Sequence, residues 1–284
     1  MKGIFKSTLI GFCAVVLWGM LALLTAFTGS IPPFQLTAMT FALACFAGGL
    51  YFVYVGCPFA ILKQPLGVWL NGIGGLFGYH ALYFMAMKKA PTLEVSLIAY
   101  LWPILIVLFT TFLPGEKLRL QHLVGVIMGF LGIFLLVIQK GQPSLAGEHL
   151  LGYLLAAACA VIWSLYSVVS RRNKEVPTLM IGFFCGITAC LALLAHLTWE
   201  VTVIPQGIEW GAVLALGLGP VGMAFFAWDY GVKNGNIKLL GTLAYMAPLI
   251  STLLLILAGH AEFTWNVALA CICIVSGPLI ASFK

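Results

Sequence analysis

The sequence predicts an all-α integral membrane protein, with ten transmembrane helices forming two inverted five-helix repeats around a central cavity. Three observations lead there. Only 8% of the 284 residues are charged and 62% are hydrophobic, whereas about a quarter of an ordinary soluble domain is charged. Lipid is therefore the natural solvent for most of this surface. Apolar stretches of membrane-spanning length follow one another along the chain, and the short linkers leave no room for a soluble domain. Finally, the chain repeats itself. Ala99-Tyr100-Leu101-Trp102-Pro103 returns as Ala244-Tyr245-Met246-Ala247-Pro248, 145 positions later, and Val16-Leu17-Trp18 returns as Val161-Ile162-Trp163 at the same offset.

A helix crossing the hydrocarbon core needs about 20 apolar residues. Proline, glycine and charge punctuate the chain into ten such segments: 7–27, 34–55, 66–87, 93–113, 120–138, 150–170, 177–197, 208–231, 237–257 and 264–282. The first follows Met1-Lys2-Gly3-Ile4-Phe5-Lys6, a basic start that could open a signal peptide. The apolar run to about Phe27 is long for that role and no small-x-small site ends it, so a retained helix is expected. Pro32-Pro33, Pro65, Pro91 and Pro114-Gly115 set off the next four segments. Arg171-Arg172, Pro205, Lys233 and Gly259 punctuate the remainder.

Orientation follows from Lys and Arg. With the N-terminus inside, the cytoplasmic segments hold Lys2, Lys6, Lys63, Lys117, Arg119, Arg171, Arg172, Lys174, Lys233, Lys238 and Lys284. The outer loops hold only Lys88, Lys89 and Lys140. Both termini are therefore expected in the cytoplasm. Ten helices in two equal halves place five in each, with residues 1–140 and 141–284 as the expected units. Five is odd, so the second half enters the membrane from the opposite side. Inverted repeats of this kind are characteristic of transporters that expose a central site to each side in turn.

The net charge of +6 does not point to nucleic acid, because the basic residues sit in short loops without an aromatic-basic stripe. The eight cysteines, Cys13, Cys45, Cys57, Cys159, Cys185, Cys190, Cys271 and Cys273, lie mostly in apolar segments and include no Cys-x-x-Cys. They read as small buried hydrophobes, and neither a metal nor a cofactor is expected.

The chain resembles the drug/metabolite transporter superfamily, in its ten-helix branch with two EamA-type repeats. The resemblance rests on Trp18-Gly19 and Trp163-Ser164, on Ala99-Tyr100-x-x-Pro103 and Ala244-Tyr245-x-x-Pro248, and on Gly115-Glu116, echoed loosely by Glu262. Within that superfamily it is most similar to bacterial aromatic amino-acid exporters, through Gly78-Tyr79-His80-Ala81-Leu82-Tyr83-Phe84 and Tyr100-Leu101-Trp102-Pro103. The resemblance implies an inner-membrane exporter of amino acids and related metabolites working by alternating access. Phe, Tyr and Trp are favoured, and Thr and Met are within reach. A monomer is the simplest expectation, since two fused halves already supply what a dimer would.

No Asp, Glu, Lys or Arg falls near a predicted helix centre, where a charge would mark a functional site. Asp229 comes nearest, about a turn from the end of the eighth segment, within reach of headgroups or Lys233. Glu94, in the first turn of the fourth segment, is placed to meet the helix dipole or to gate an outer mouth. A cavity without an acid suits neutral or zwitterionic substrates, and facilitated, gradient-driven export or weak coupling is expected.

Candidate substrate-binding residues are the aromatics deep in their spans: Trp18, Tyr79, Tyr83, Tyr100, Trp102, Trp163, Tyr166, Trp228 and Tyr245, together with His80. Tyr79 and Tyr83 share a helical face, with His80 beside Tyr83. Helix–helix packing is the competing role for each ring. For His80 the choice lies between a structural hydrogen bond and a substrate contact or gate. Trp69, Trp199, Trp210 and Trp265 fit an interfacial belt. Pro103 and Pro248 are expected to kink their helices symmetrically and shape the cavity walls. The glycines of the third and eighth segments read as packing surfaces.

Among alternatives, export of a drug or cation survives through cation–π attraction. Phosphate esters would call for buried Lys or Arg. No nucleophile or metalloenzyme motif lies on any span, His122, His149, His196 and His260 are scattered near segment ends, and no filter-like loop suggests a channel.

Overall fold

A computed structural model describes residues 2–138, 149–259 and 262–282. Lys140, His260, Lys284 and the expected repeat boundary at 140/141 lie outside the described residues. The described chain contains α-, 3₁₀- and π-helical segments and no strand. Its membrane helices are α1 Gly3–Ala26, α2 Pro33–Tyr54, α3 66–87, α4 Thr92–Phe112, α5 Leu120–Ile138, α6 Leu150–Arg172, α7 Met180–Trp199, α8 Ile208–Asn234, α9 Ile237–Leu257 and α10 Trp265–Ser282. Among the described residues, nine helices are long and apolar enough to cross a membrane on composition alone. The tenth, α3, is less apolar because it carries Asn71, Tyr79, His80 and Tyr83.

Several helix limits differ from the sequence expectation, and each has a local cause. Helix α8 runs on to Asn234 because Lys233 need not leave the helix to find water. Its ammonium sits 2.7 Å from Asp229 and donates to the Val176 carbonyl at 2.8 Å. Helix α7 starts at Met180 because Pro177 and Thr178 form a turn, with the Thr178 hydroxyl 2.7 Å from Asp229. Asp229 is thus buried and paired with Lys233 rather than facing headgroups.

Helix α4 breaks at Tyr100-Leu101 and α9 at Ala244-Tyr245, just ahead of Pro103 and Pro248. Proline has no N–H to extend the helical ladder. The backbone tightens there: Leu101 N reaches Ile98 O at 3.1 Å and Tyr245 N reaches Thr242 O at 3.3 Å. Helices α3 and α8 each contain one π-helical turn, at Gly74–Gly78 and Gly219–Met223. These turns stand at the same 145-residue offset as the Tyr-Pro repeats.

Glycine sets the closest helix crossings, where only a missing side chain lets backbones meet. A Cβ on Gly231 of α8 would lie 2.4 Å from Gly11 Cα of α1. A Cβ on Gly277 of α10 would lie 2.5 Å from the Gly125 carbonyl of α5, and one on Gly48 of α2 would lie 3.1 Å from Gly182 Cα of α7. In α3, Gly72 receives the Phe184 ring and Gly75 the Tyr166 ring; in α8, Gly217 receives Leu43. All eight cysteines are free.

Ten spans return the chain to the side on which it began, giving a terminal face that bears both ends and a distal face opposite. At the distal face the Glu200 carboxylate accepts from the Phe34 and Gln35 N–H groups, each at 3.0 Å, and pairs with His196 at 3.0 Å. This joins the end of α7 to the start of α2, where the first N–H groups lack helical partners.

Candidate functional site

A central cavity of about 150 Å³ lies among the helices, lined by aromatic side chains. Helix α1 contributes Trp18 and Leu21. Helix α3 contributes Tyr79, His80 and Tyr83, which emerge on one side just after the π turn. Helix α4 contributes Ser96, Ala99, Tyr100 and Trp102, and α6 contributes Trp163. Pro220, Val221 and Phe225 of α8 and Ala247 of α9 complete the lining. On α1, α3 and α4 these residues lie in the half of the helix nearer the distal face, or at its midpoint.

The floor is a cluster of four indoles, one from each of α1, α4, α6 and α8. Trp18, Trp102, Trp163 and Trp228 meet in all six pairings, with ring centroids between 5.1 and 6.4 Å apart. Trp228 is fully buried beneath the other three, and its indole N–H donates to Ser167 Oγ at 3.1 Å. The Trp18 N–H donates to the Pro220 carbonyl at 3.1 Å, tying α1 to the π turn of α8. Along one wall Tyr79 and Tyr83 stack almost parallel, centroids 6.1 Å apart.

The polar groups follow from this frame. His80 Nδ1 lies 2.7 Å from the Leu76 carbonyl. A carbonyl can only accept, so that nitrogen carries a proton, and in the neutral ring Nε2 is an acceptor. The ring stands edge-on to Phe41 at 5.2 Å. Both roles weighed for His80 thus meet in one residue: a structural bond on one nitrogen and a place in the cavity lining. Among the described residues, no protein acceptor meets the indole N–H of Trp102 or Trp163. A polar group left unpaired in an apolar site is costly, so these donors suit a polar guest. No Asp, Glu, Lys or Arg is in the lining.

The structure brings together Trp18, Tyr79, His80, Tyr83, Tyr100, Trp102 and Trp163, and leaves the other candidates outside the lining. Tyr166 lies on Gly75 of the π turn. Tyr245 is buried against Gly129 and donates from its hydroxyl to the Tyr100 carbonyl, 3.3 Å away. Trp228 is the fully buried member of the floor and does not reach the cavity, Pro103 and Pro248 act on the helix axes, and Glu94 is buried at the start of α4. Sequence reasoning missed Leu21, Ser96, Ala99, Pro220, Val221, Phe225 and Ala247. Ser96 carried a signal, one helical turn before Tyr100, and Pro220 carried another, as a proline within a span.

On the terminal face Glu116, in the linker after α4, reaches Lys238 at the start of α9 at 2.6 Å and Arg171 at the end of α6 at 3.4 Å. Burial by itself would push this carboxyl up. The hydrogen bond and charge of Lys238, with Arg171 behind, outweigh burial and hold Glu116 below the usual carboxylate range. Among the described residues, no group of three or more His, Cys, Asp or Glu is placed to hold a metal ion.

A two-repeat helical membrane fold around a central apolar cavity is the architecture of a transporter. The chain belongs to the EamA-like transporter family, whose pattern matches it twice, at residues 5–138 and 150–283. It is 52% identical over 278 residues to the aromatic amino acid exporter YddG of Ancylobacter novellus, covering 98% of this chain and 97% of that one. The exporter of the same name from Salmonella typhimurium is 27% identical, covering 95% of each chain. A solved crystal structure at 52% identity superposes with a TM-score of 0.94, over 98% of this chain and 96% of the other.

Proposed function

We propose that this multi-pass membrane protein exports amino acids across the bacterial inner membrane by alternating access, with aromatic side chains favoured. The observation that carries this reading is the cavity. Its walls are ring faces suited to an aromatic or apolar side chain, its unpaired donors suit a carboxylate, and it offers no fixed charge to hold a cation or a phosphate. The names of the relatives support the same substrate class. The substrate contacts are assigned to Trp18, Tyr79, His80, Tyr83, Tyr100, Trp102 and Trp163. Bends at Pro103 and Pro248 shape the walls.

Residues 1–140 and 141–284 are taken as the two five-helix repeats. The Lys and Arg bias supports placing the terminal face, with both termini, in the cytoplasm. The working unit is a monomer in contact with lipid, and transport is facilitated rather than proton-driven. The test is uptake of labelled phenylalanine into proteoliposomes, with competition by Phe, Trp, Thr, Lys and a cationic dye. Saturable flux with Phe and Trp as the strongest competitors is expected. Absence of saturable amino-acid flux sinks the reading, and accumulation driven by a proton gradient alone refutes the facilitated mode.

A further inference from the structure

The two halves of the chain correspond at an offset of 145 positions, and the correspondence holds in space. Trp18 meets its counterpart Trp163 with ring centroids 5.7 Å apart, and His80 meets its counterpart Phe225 at 6.3 Å. The Tyr245 hydroxyl reaches the carbonyl of its counterpart Tyr100. Residues that touch their own counterparts lie beside the two-fold axis of an inverted repeat, so this axis passes the cavity.

The backbones at positions 102 and 247 match as well. Ser164 Oγ of α6 donates to the Trp102 carbonyl of α4 at 2.9 Å. Gly19 of α1, the counterpart of Ser164, faces the Ala247 carbonyl of α9, and a Cβ on it would lie 3.2 Å away. The side chains do not match, because an indole stands at 102 and a methyl group at 247. The Trp102 ring packs on Trp18, Trp163 and Trp228, with centroids 6.3, 6.2 and 5.7 Å away. The two-fold axis turns these neighbours into Trp163, Trp18 and Tyr83, and carries the place of the ring from the floor to its distal side. Trp18, Trp163, Tyr83 and Ala247 all line the cavity. The second half carries alanine where the first carries tryptophan, and the room this leaves is part of the cavity itself. Its volume of about 150 Å³ is one that takes up a benzene-sized guest.

We propose that Ala247 is the specificity-determining residue of the cavity. The aromatic side chain of the substrate takes the place of the indole that the repeat would put there, among Trp18, Trp163 and Tyr83. The guest ring completes on the distal side the packing that Trp102 provides in the floor. Residue 247 therefore sets the size of the side chain that is exported, while His80 and the unpaired indole donors remain for the head group. The assignment rests on the amino-acid reading above and adds to it where the ring lies.

The test is a size series at position 247, read in proteoliposomes as the KM for labelled phenylalanine and for labelled tryptophan. In Ala247→Leu the added carbons enter the room of the guest ring, and the larger guest suffers more. The ratio of the tryptophan KM to the phenylalanine KM should rise about tenfold. Ala247→Gly adds no atom and should lower the same ratio about threefold. A residue that only packs α9 against α1 would shift both substrates together and leave the ratio unchanged. An unchanged ratio in folded Ala247→Leu overturns the proposal. If that variant does not fold, an unchanged ratio in Ala247→Gly overturns it alone, and a change opposite in sign does so in either variant. Lack of saturable amino-acid flux in the unaltered protein removes the underlying reading and this proposal with it, and is distinguishable because it is measured before any substitution is made.

Discussion

Replacing Gly231 by alanine is the most direct test of how α1 and α8 build the cavity. The added Cβ would lie 2.4 Å from Gly11 Cα and 2.9 Å from Gly11 N, whereas ordinary contact begins at 3.4 Å. The obstacle is backbone, so no side-chain rotation relieves it and the helices must part by about 1 Å. Overpacking of this kind costs about 1–3 kcal/mol. Moving α1 bodily by that amount also carries the Trp18 indole from 3.1 Å toward the limit of hydrogen bonding to Pro220, a loss of about 1 kcal/mol. The expected total is about 2–4 kcal/mol, a drop in melting temperature of roughly 5–15 °C for a chain of this size. Thermal unfolding in detergent, followed by tryptophan fluorescence, reads both effects, because the four-indole floor is disturbed along with the crossing. Gly49→Ala on α2 is the control, since its Cβ meets nothing within 4 Å. A Gly231→Ala melting temperature equal to that of the control would refute the claim that this crossing is held at backbone contact.

Trp102→Phe keeps a ring and removes an unpaired indole N–H. If that donor serves the substrate with a bond of about 1 kcal/mol, the KM for phenylalanine rises about fivefold, and an unchanged KM denies the donor a role. Tyr245→Phe deletes the 3.3 Å bond to the Tyr100 carbonyl, and a loss of about 0.6 kcal/mol is expected. A fall in stability above about 2 kcal/mol would show that the hydroxyl does more than this single bond. Acid should weaken the ion pairs of Glu116 on the terminal face. The folded carboxyl of Glu116 ionises more readily than the usual 4.5 of a free side chain, so its contribution is complete above that value and is lost as the pH falls through the lower folded value. Arg119 and His122 stand near the same cluster. Comparison with Glu116→Gln isolates the carboxylate, whose share of the acid-side loss in melting temperature should vanish in the variant.

Much of this architecture was legible because lipid imposes strict rules. Apolar length revealed the spans, and prolines located the breaks in α4 and α9. The shared offset paired Trp18 with Trp163, which do meet in the floor, 5.7 Å apart. Helical spacing put Tyr79 and Tyr83 on one wall. What sequence could not decide was which way a deep aromatic turns. Tyr166 and Tyr245 have the same depth and chemistry as their cavity-lining counterparts, yet each faces a glycine on a neighbouring helix and fills the notch there. That choice depends on where Gly75 and Gly129 come to rest, a property of crossings between distant segments. For the same reason Phe225 was invisible as a wall residue until α8 was laid across α1. The partners of Glu116 were hidden likewise, since they lie 55 and 122 positions away in the chain.

The two π turns also bear on how each half presents its wall residues. A π turn is a helical turn with one residue too many. Gly74–Gly78 and Gly219–Met223 hold theirs at matching places in the two halves. The two halves thus share one local departure from the α-helix, at the same offset as their Tyr-Pro repeats. It also fixes how the chain can change: removing one residue from 74–78 takes out the surplus residue and returns this turn to ordinary α-helical geometry.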